Sequence, residues 1–345
     1  MGSAESEVYN TDVVIIGAGP TGLFSIFEMG MNKMSCHVVD SLDEIGGQCV
    51  ALYPEKPIYD IPAYPQIGAK DLIDKLSEQA APFNPTYHLG QQVNSISQLD
   101  SDGRKWQVVT SKGTNIVCRS IVIAAGVGAF GPNRPPLEGI EEYESKSVFY
   151  YVKNTAKFAG KSIVIAGGGD SAVDWALNLH DIAEKLYVVH RRPKFRATPD
   201  SSEKLRKLAE DGKIELVIPY QLSRLEGNNG QLSAVIVKTM SNEERKLEAD
   251  VLLPFFGLSM NLGPIAEWEL GLNKSHINID PLTALTNRPG IYAVGDIATY
   301  DYKQKLILTG FAECAQAAHH IRRFLNPDQV IHFEYSTTSG VPKAV

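Results

Sequence analysis

Gly17-Ala18-Gly19-Pro20-Thr21-Gly22 and Gly167-Gly168-Gly169-Asp170-Ser171-Ala172 are two copies of one glycine spacing. Each leads, at the same distance, to residues able to sort ligands: Asp40 after the first, and His190 with Arg191 and Arg192 after the second. The offset between the copies is 150 residues, at the glycines and at the sorting residues alike. Glycines so spaced let the backbone approach a pyrophosphate, whose charge is met by free N–H groups and by the positive end of a helix that starts in the turn. Two such turns predict two bound dinucleotides. Asp40 accepts hydrogen bonds from ribose hydroxyls and repels a phosphate, whereas Arg191 and Arg192, with Arg196 nearby, bind a 2′-phosphate through charge-assisted bonds. This contrast predicts FAD at the first turn and NADP(H) at the second.

Both turns have the flanks they need. Asp12 to Ile16 and Ser162 to Ala166 read as short apolar strands, and 21–30 and 170–182 read as the helices that follow. Strands 36–39 and 186–190 then end at the sorting residues. The fold class expected is α/β, with two Rossmann-like three-layer dinucleotide-binding domains. Residues 69–80 read as a helix, and 93–99, 106–110 and 114–119 as a small antiparallel sheet, followed by a buried strand at 120–125. The Gly- and Pro-rich stretch 127–136 reads as a crossover into the second unit, where a polar helix at 201–211 and three strands near 214–226, 231–238 and 245–253 are expected. Strand 291–294, ending at Gly295-Asp296, and helix 309–324 return to the first unit. The NADPH domain, 127–283, is therefore expected as an insertion in a discontinuous FAD domain made of 1–126 and 284–345.

Composition narrows the function classes. The chain has 345 residues, 43% hydrophobic and 21% charged, which suits a soluble protein of two domains. A formal net charge of -7 opposes nucleic acid and anionic lipid as partners. No apolar run reaches membrane-spanning length and the first residues lack a signal-peptide pattern, so a cytoplasmic location is expected. The four cysteines, Cys36, Cys49, Cys118 and Cys314, include no Cys-x-x-Cys pair, which argues for reduced thiols rather than a disulfide framework or zinc site. His88, His319 and His320 have no accompanying metal-ligand spacing and read as packing or helix-surface residues.

Longer stretches extend the reading. Residues 46–60 (GGQCVALYPEKPIYD), 167–175 (GGGDSAVDW), 189–192 (VHRR), 295–297 (GDI) and 334–338 (EYSTT) together resemble the thioredoxin-reductase-like ferredoxin–NADP reductases, a group of flavoprotein pyridine nucleotide reductases. The resemblance spans nearly the whole chain. It implies that Gly17, Gly19, Pro20, Thr21 and Gly22 meet the FAD pyrophosphate, that Asp40 binds the adenosine ribose, and that Gly47 and Gln48 lie near the ribityl chain or pyrophosphate. Val93 would contact the adenine, Phe130 would sit beside the flavin, and Asp296 would bind the ribityl chain. Tyr53 and Tyr335 form the implied catalytic pair, stacking on opposite faces of the isoalloxazine, with Tyr335 contributed by the other subunit of a homodimer through the tail 326–345. Phe333 is the alternative to Tyr335, and Thr337 would hydrogen-bond the flavin. Gly167, Gly168, Gly169, Asp170, Ser171, His190, Arg191 and Arg192 would hold NADP(H). The implied partner is ferredoxin or a similar one-electron carrier such as flavodoxin, and Lys303, Lys305, Arg322 and Arg323 are candidates for a basic surface that meets it.

Departures from related enzymes shape the reaction class. Thioredoxin reductase carries Cys-x-x-Cys just before its second glycine turn, whereas residues 147–153 here (SVFYYVK) hold no cysteine. Cys49 matches the first redox cysteine of one class of flavin disulfide reductases, but the second position is Pro54. Electrons are thus expected to leave the flavin without passing through a dithiol of this chain. Three alternatives stand beside that reading: an NADPH-dependent disulfide-type reductase working through an external dithiol partner, a flavin monooxygenase, and a non-catalytic NADPH redox sensor.

Overall fold

Val13, Val14 and Ile15 are fully buried, as residues must be in a strand covered on both faces, and they form the centre of the first sheet. In the computed structural model, which describes residues 8–330 and 340–341, this strand is β1 (Val8–Ile16). The chain continues through α1 (Pro20–Met31), β2 (Cys36–Val39), α2 (Ala69–Ala80), β3 (Thr86–His88), β4 (Val93–Gln98), β5 (Trp106–Thr110) and β6 (Asn115–Ile123). β2 and β6 flank β1 in parallel, and β3 extends the sheet beyond β2. Parallel neighbours require a crossover, which α1 supplies between β1 and β2.

β6 differs from the expectation of two separate strands at 114–119 and 120–125. Its first half pairs antiparallel with β5, while both halves run parallel beside β1. Burial along it alternates from Asn115 to Ser120 and then becomes continuous through Ile123, which records the change of surroundings within one strand.

The second sheet repeats the plan. β7 (Ser162–Ala166), α3 (Asp170–Leu179), β8 (Lys185–Val189), α4 (Pro199–Glu210) and β9 (Glu215–Val217) lead into an antiparallel meander of β10 (Gln221–Asn228), β11 (Gln231–Lys238) and β12 (Glu244–Glu248), and then β13 (Val251–Pro254). β9, β8, β7 and β13 are parallel in that order. Five strands thus replace the three expected between 214 and 253. One break falls at Ile218–Tyr220, where Pro219 has no N–H for a ladder. The other falls at Ala249-Asp250, where the Asp250 carboxylate accepts the Ser162 N–H at 2.9 Å.

β14 (Ile291–Ala293) then pairs in parallel with β6, and α5 (Ile307–Leu325) packs against α1. By internal contacts the chain divides into one unit made of Met1–Phe130 and Met260–Val345 and another of Gly131–Ser259. The chain rejoins the first unit at 260 rather than 284, because Leu262, Ile265, Trp268, Leu270, Ile277 and Ile279 are buried in the first core. Each unit is α/β and Rossmann-like. Among the described residues no helix is long and apolar enough to cross a membrane.

The first sheet also carries a titrating pair. His37 Nδ1 and His88 Nε2, on neighbouring strands β2 and β3, lie 3.0 Å apart, with the Tyr9 ring edge-on to His88 at 5.3 Å. Burial lowers the pKa of both, and the nearness of His88 lowers His37 further. Their folded pKa values lie below the unfolded value near 6.5, so the native state binds fewer protons than the unfolded one. The stability they contribute is present above about pH 6.5 and is lost as pH falls below it. Glu28 and Asp40, raised by burial, act in the opposite sense at lower pH. The unfolding midpoint is therefore expected to fall between pH 7.5 and 6, and His88→Gln to flatten that slope; parallel slopes in the two proteins would show that the pair protonates freely.

Candidate functional site

The first glycine turn divides its labour among its members. A β-carbon on Gly17, whose φ is +110°, would stand 2.4 Å from the Ala124 carbonyl oxygen, and one on Gly22 would stand 1.9 Å from that of Gly17. These two glycines are demanded by the fold itself. Gly19 differs: its nearest neighbour would be the Gly47 Cα at 4.0 Å, so its face is open. Gly19 caps α1 without a side-chain acceptor and Pro20 begins the helix, so first-turn N–H groups are left for a ligand.

Asp40 ties this turn to the end of β2. Its Oδ2 accepts the Ala18 N–H at 2.6 Å and its Oδ1 the Leu42 N–H at 2.8 Å. Burial pushes its carboxyl above the usual carboxylate range, and the two N–H donors pull it back. Each oxygen keeps a further lone pair.

Gly17, Gly19, Pro20, Thr21, Asp40, Gly47, Gln48, Tyr53, Val93 and Asp296 all line one cleft of the first unit. Gly22 lies behind the turn. Residues from five separate stretches of sequence are thereby brought together. Tyr53 is half-buried; its hydroxyl is hydrogen-bonded to the Cys49 thiol, and Lys56 Nζ lies 5.9 Å from its ring centroid. Gln91, Gln92, Leu262, Ile265, Trp268, Leu306 and Ile307 also line the cleft, although no motif marks them. The three-residue spacing of Leu262, Ile265 and Trp268 is the one signal that predicts a shared face. Trp268 keeps a buried indole N–H with no acceptor among the described residues.

The second turn follows the same division. A β-carbon on Gly167 would meet the Phe255 carbonyl oxygen at 2.6 Å and one on Gly168 the His190 ring at 2.0 Å, whereas one on Gly169 would meet nothing within 4 Å. The loop after β8 is bound back onto this turn. The Arg196 N–H donates to the Gly168 carbonyl at 2.7 Å, and Asp170 Oδ1, at the start of α3, accepts the Thr198 N–H at 3.2 Å. Arg191, Arg192, Arg196 and Ser171 are exposed, and none of the three guanidinium groups has an acidic partner among the described residues. His190 is buried beneath the turn, stacked on Phe195 at 5.1 Å, with Nε2 unpartnered. Burial lowers its pKa, a backbone hydrogen bond at Lys194 raises it in part, and the neighbouring arginines lower it again, so the net shift favours the neutral ring.

Other expected residues are placed differently. Tyr335, Phe333 and Thr337 lie outside the described residues, as does the side chain of Phe130. Lys303 is not a surface cation but the buried partner of Glu313, Arg322 is half-buried, and Lys305 Nζ is hydrogen-bonded to His276 Nε2 at 2.8 Å. The four cysteines are free and buried. Burial pushes Cys49 up to about 11 and Cys118 up to about 12, with Cys36 and Cys314 higher still, which keeps the thiols protonated and unreactive.

Both turns fit a dinucleotide on structural grounds: open faces at Gly19 and Gly169, unserved helix N–H groups, a buried carboxylate at one strand end and unpaired guanidinium groups after the other. Fold and sites together define an α/β oxidoreductase with two dinucleotide sites. The model of the family described as pyridine nucleotide-disulphide oxidoreductase matches residues 11–320, and the chain belongs to that family. It is 60% identical over 335 residues to the ferredoxin–NADP reductase of Paramagnetospirillum magneticum, covering 97% of this chain and 99% of that protein. The ferredoxin–NADP reductase of Rickettsia conorii is 57% identical, over 97% of this chain and 98% of its own length. Among solved structures, Lactococcus lactis thioredoxin reductase matches with a TM-score of 0.78 at 26% identity, covering 92% of this chain and 99% of that one. Thioredoxin reductase from T. acidophilum shares the fold, with the same TM-score at 20% identity over 91% and 98% of the two chains.

Proposed function

We propose that this chain is an FAD-dependent ferredoxin–NADP reductase. It exchanges a hydride between NADP(H) and FAD, and single electrons between the flavin and ferredoxin or flavodoxin. The observation that carries this reading is the pairing of a carboxylate-ended dinucleotide turn with an arginine-ended one in a chain whose cysteines are all buried.

FAD, when bound, supplies both the hydride chemistry and the single-electron chemistry. The chain supplies position. The open face of Gly19 and the start of α1 receive the pyrophosphate, Asp40 accepts from the adenosine ribose, Val93 borders the adenine, and Gln48 and Asp296 hold the ribityl chain. Tyr53, at the cleft wall, would supply the aromatic surface for the isoalloxazine and keep water from it. Gly169, Asp170 and Ser171 at the start of α3 receive the second pyrophosphate, and Arg191 and Arg192 hold the 2′-phosphate. The resemblance to the thioredoxin-reductase-like reductases also implies a homodimer as the working assembly. No side chain has to act as acid, base or nucleophile.

Steady-state NADPH oxidation coupled through ferredoxin to cytochrome c tests this reading. Turnover is expected to change less than about twofold after treatment of the native protein with N-ethylmaleimide, because protonated buried thiols react poorly. Turnover that only an added dithiol protein supports, and that N-ethylmaleimide abolishes, would replace this reading with a disulfide-type reductase.

A further inference from the structure

Lys303 and Glu313 form a salt bridge of 2.6 Å, with side chains only 4% and 2% exposed. A buried ion pair is a weak way to stabilise a fold, since an apolar pair of similar volume serves as well or better. Its surroundings supply another use. Glu313 Oε2 accepts the Gly295 N–H at 2.7 Å, and Lys303 Nζ donates to the Gly295 carbonyl at 2.7 Å. The two charges therefore hold both peptide groups of the residue that precedes Asp296. Gly295 sits at φ +73°, and an added β-carbon there would stand 2.9 Å from Thr21 Oγ1. Thr21 and Asp296 both line the cleft. Tyr300 closes the third side, with its ring centroid 5.3 Å from Lys303 Nζ and its hydroxyl beside Glu313; burial raises the Tyr300 pKa and the Glu313 charge helps to raise it.

The geometry points to Lys303 and Glu313 as positioning residues for the flavin: a pair without net charge that fixes the Gly295–Asp296 peptide at the cleft wall and sets the redox potential of FAD bound there. The inference rests on the reading of this cleft as the FAD site. In a trans peptide the Gly295 carbonyl and the Asp296 N–H point in opposite directions, so a cation on the carbonyl strengthens an N–H donor on the other side. That N–H belongs to the first turn of a short helix, Gly295–Ile297, which the helix itself leaves unserved. A balanced pair also cancels its own field. Deleting one partner leaves a full charge in a low-dielectric interior, where its effect on the electron-rich reduced flavin is large.

The test uses FAD-loaded Glu313→Gln, Lys303→Met and the double variant, with midpoint potentials measured by dye equilibration. Glu313→Gln leaves a lone cation and is expected to tighten reduced FAD about tenfold relative to oxidised FAD, a positive shift of roughly 30 mV for a two-electron couple. Lys303→Met leaves a lone anion and is expected to shift the potential negatively by a similar step, while the double variant stays near wild type. Singles that shift in the same direction, singles that do not shift, or a double displaced as far as a single would overturn the inference. Should a single variant fail to fold, Tyr300→Phe keeps both charges, withdraws one hydroxyl from Glu313, and is expected to give a smaller negative shift; an unmoved potential there overturns it equally. Wild-type protein that cannot be loaded with FAD sinks the reading of the cleft, whereas loaded wild type with unshifted variants sinks only the positioning role.

Discussion

Gly22→Ala is expected to break the first glycine turn, while Gly19→Ala, three residues earlier, is expected to leave the fold intact and cost FAD. The methyl added at Gly22 would stand 1.9 Å from the Gly17 carbonyl oxygen, far inside contact distance. That obstacle is backbone, so no side-chain rotation relieves it, and α1 or the turn must move. Overpacking a dense interior costs about 1–3 kcal/mol and sometimes more, and a clash with backbone belongs at the upper end. At Gly19, φ -74° and ψ -174° suit alanine and the nearest atom is 4.0 Å away, so stability is expected to change by no more than about 0.5 kcal/mol. The same methyl stands where the pyrophosphate must approach the N–H groups of α1. Losing one or two charge-assisted hydrogen bonds weakens FAD by roughly 10- to 100-fold. Thermal unfolding and retention of yellow colour through gel filtration separate the two effects. A Gly19→Ala protein that unfolds early yet keeps its flavin would make the turn a structural feature only.

The turns are legible in sequence because their constraints are local. Gly17, Gly19 and Gly22 sit within one strand–turn–helix segment, and the strand that follows places Asp40 by simple length. The same holds for Gly167, Gly169 and the arginines after β8. Helix Ala69–Ala80 is equally local, since Ala69, Leu72, Ile73, Leu76 and Ala80 form one buried face at helical spacing.

What long-range packing decides is not legible. Residues 262–279 carry no motif, and their place in the first unit follows from the burial of Leu262, Ile265 and Trp268 in a core built mainly by distant strands. Lys303 reads as a surface cation because a sequence does not display the partner of a charge. Glu313 stands ten residues on, along a helix whose buried face is fixed only when α5 packs against α1. His190 has a similar history: adjacent to two arginines it reads as part of a cationic cluster, yet the chain leaving β8 tucks its ring under Gly168 and leaves the arginines outside.

Replacing Arg191 and Arg192 together by alanine is expected to lower kcat/KM for NADPH about a hundredfold and to change that for NADH less than about threefold. Both side chains are exposed and lack acidic partners among the described residues, so their removal breaks no ion pair there and the unfolding midpoint is expected to stay where it was. Each charge-assisted bond to a 2′-phosphate is worth about tenfold, at the low end of its range because solvent screens an exposed site. Arg196, held near the turn by its backbone bond to Gly168, supplies residual attraction and keeps the loss from running higher. NADH has no 2′-phosphate, so only the general attraction of the basic loop for the pyrophosphate is lost to it. The loss is expected to sit in KM, since these groups contact a part of the nucleotide that does not react, and added salt reproduces part of it in the wild type by screening. Equal losses for both nucleotides would move the arginines to the pyrophosphate. No loss for either would reduce them to a solvated turn, and the assignment of the second site to a phosphorylated nucleotide would then have no residue to carry it.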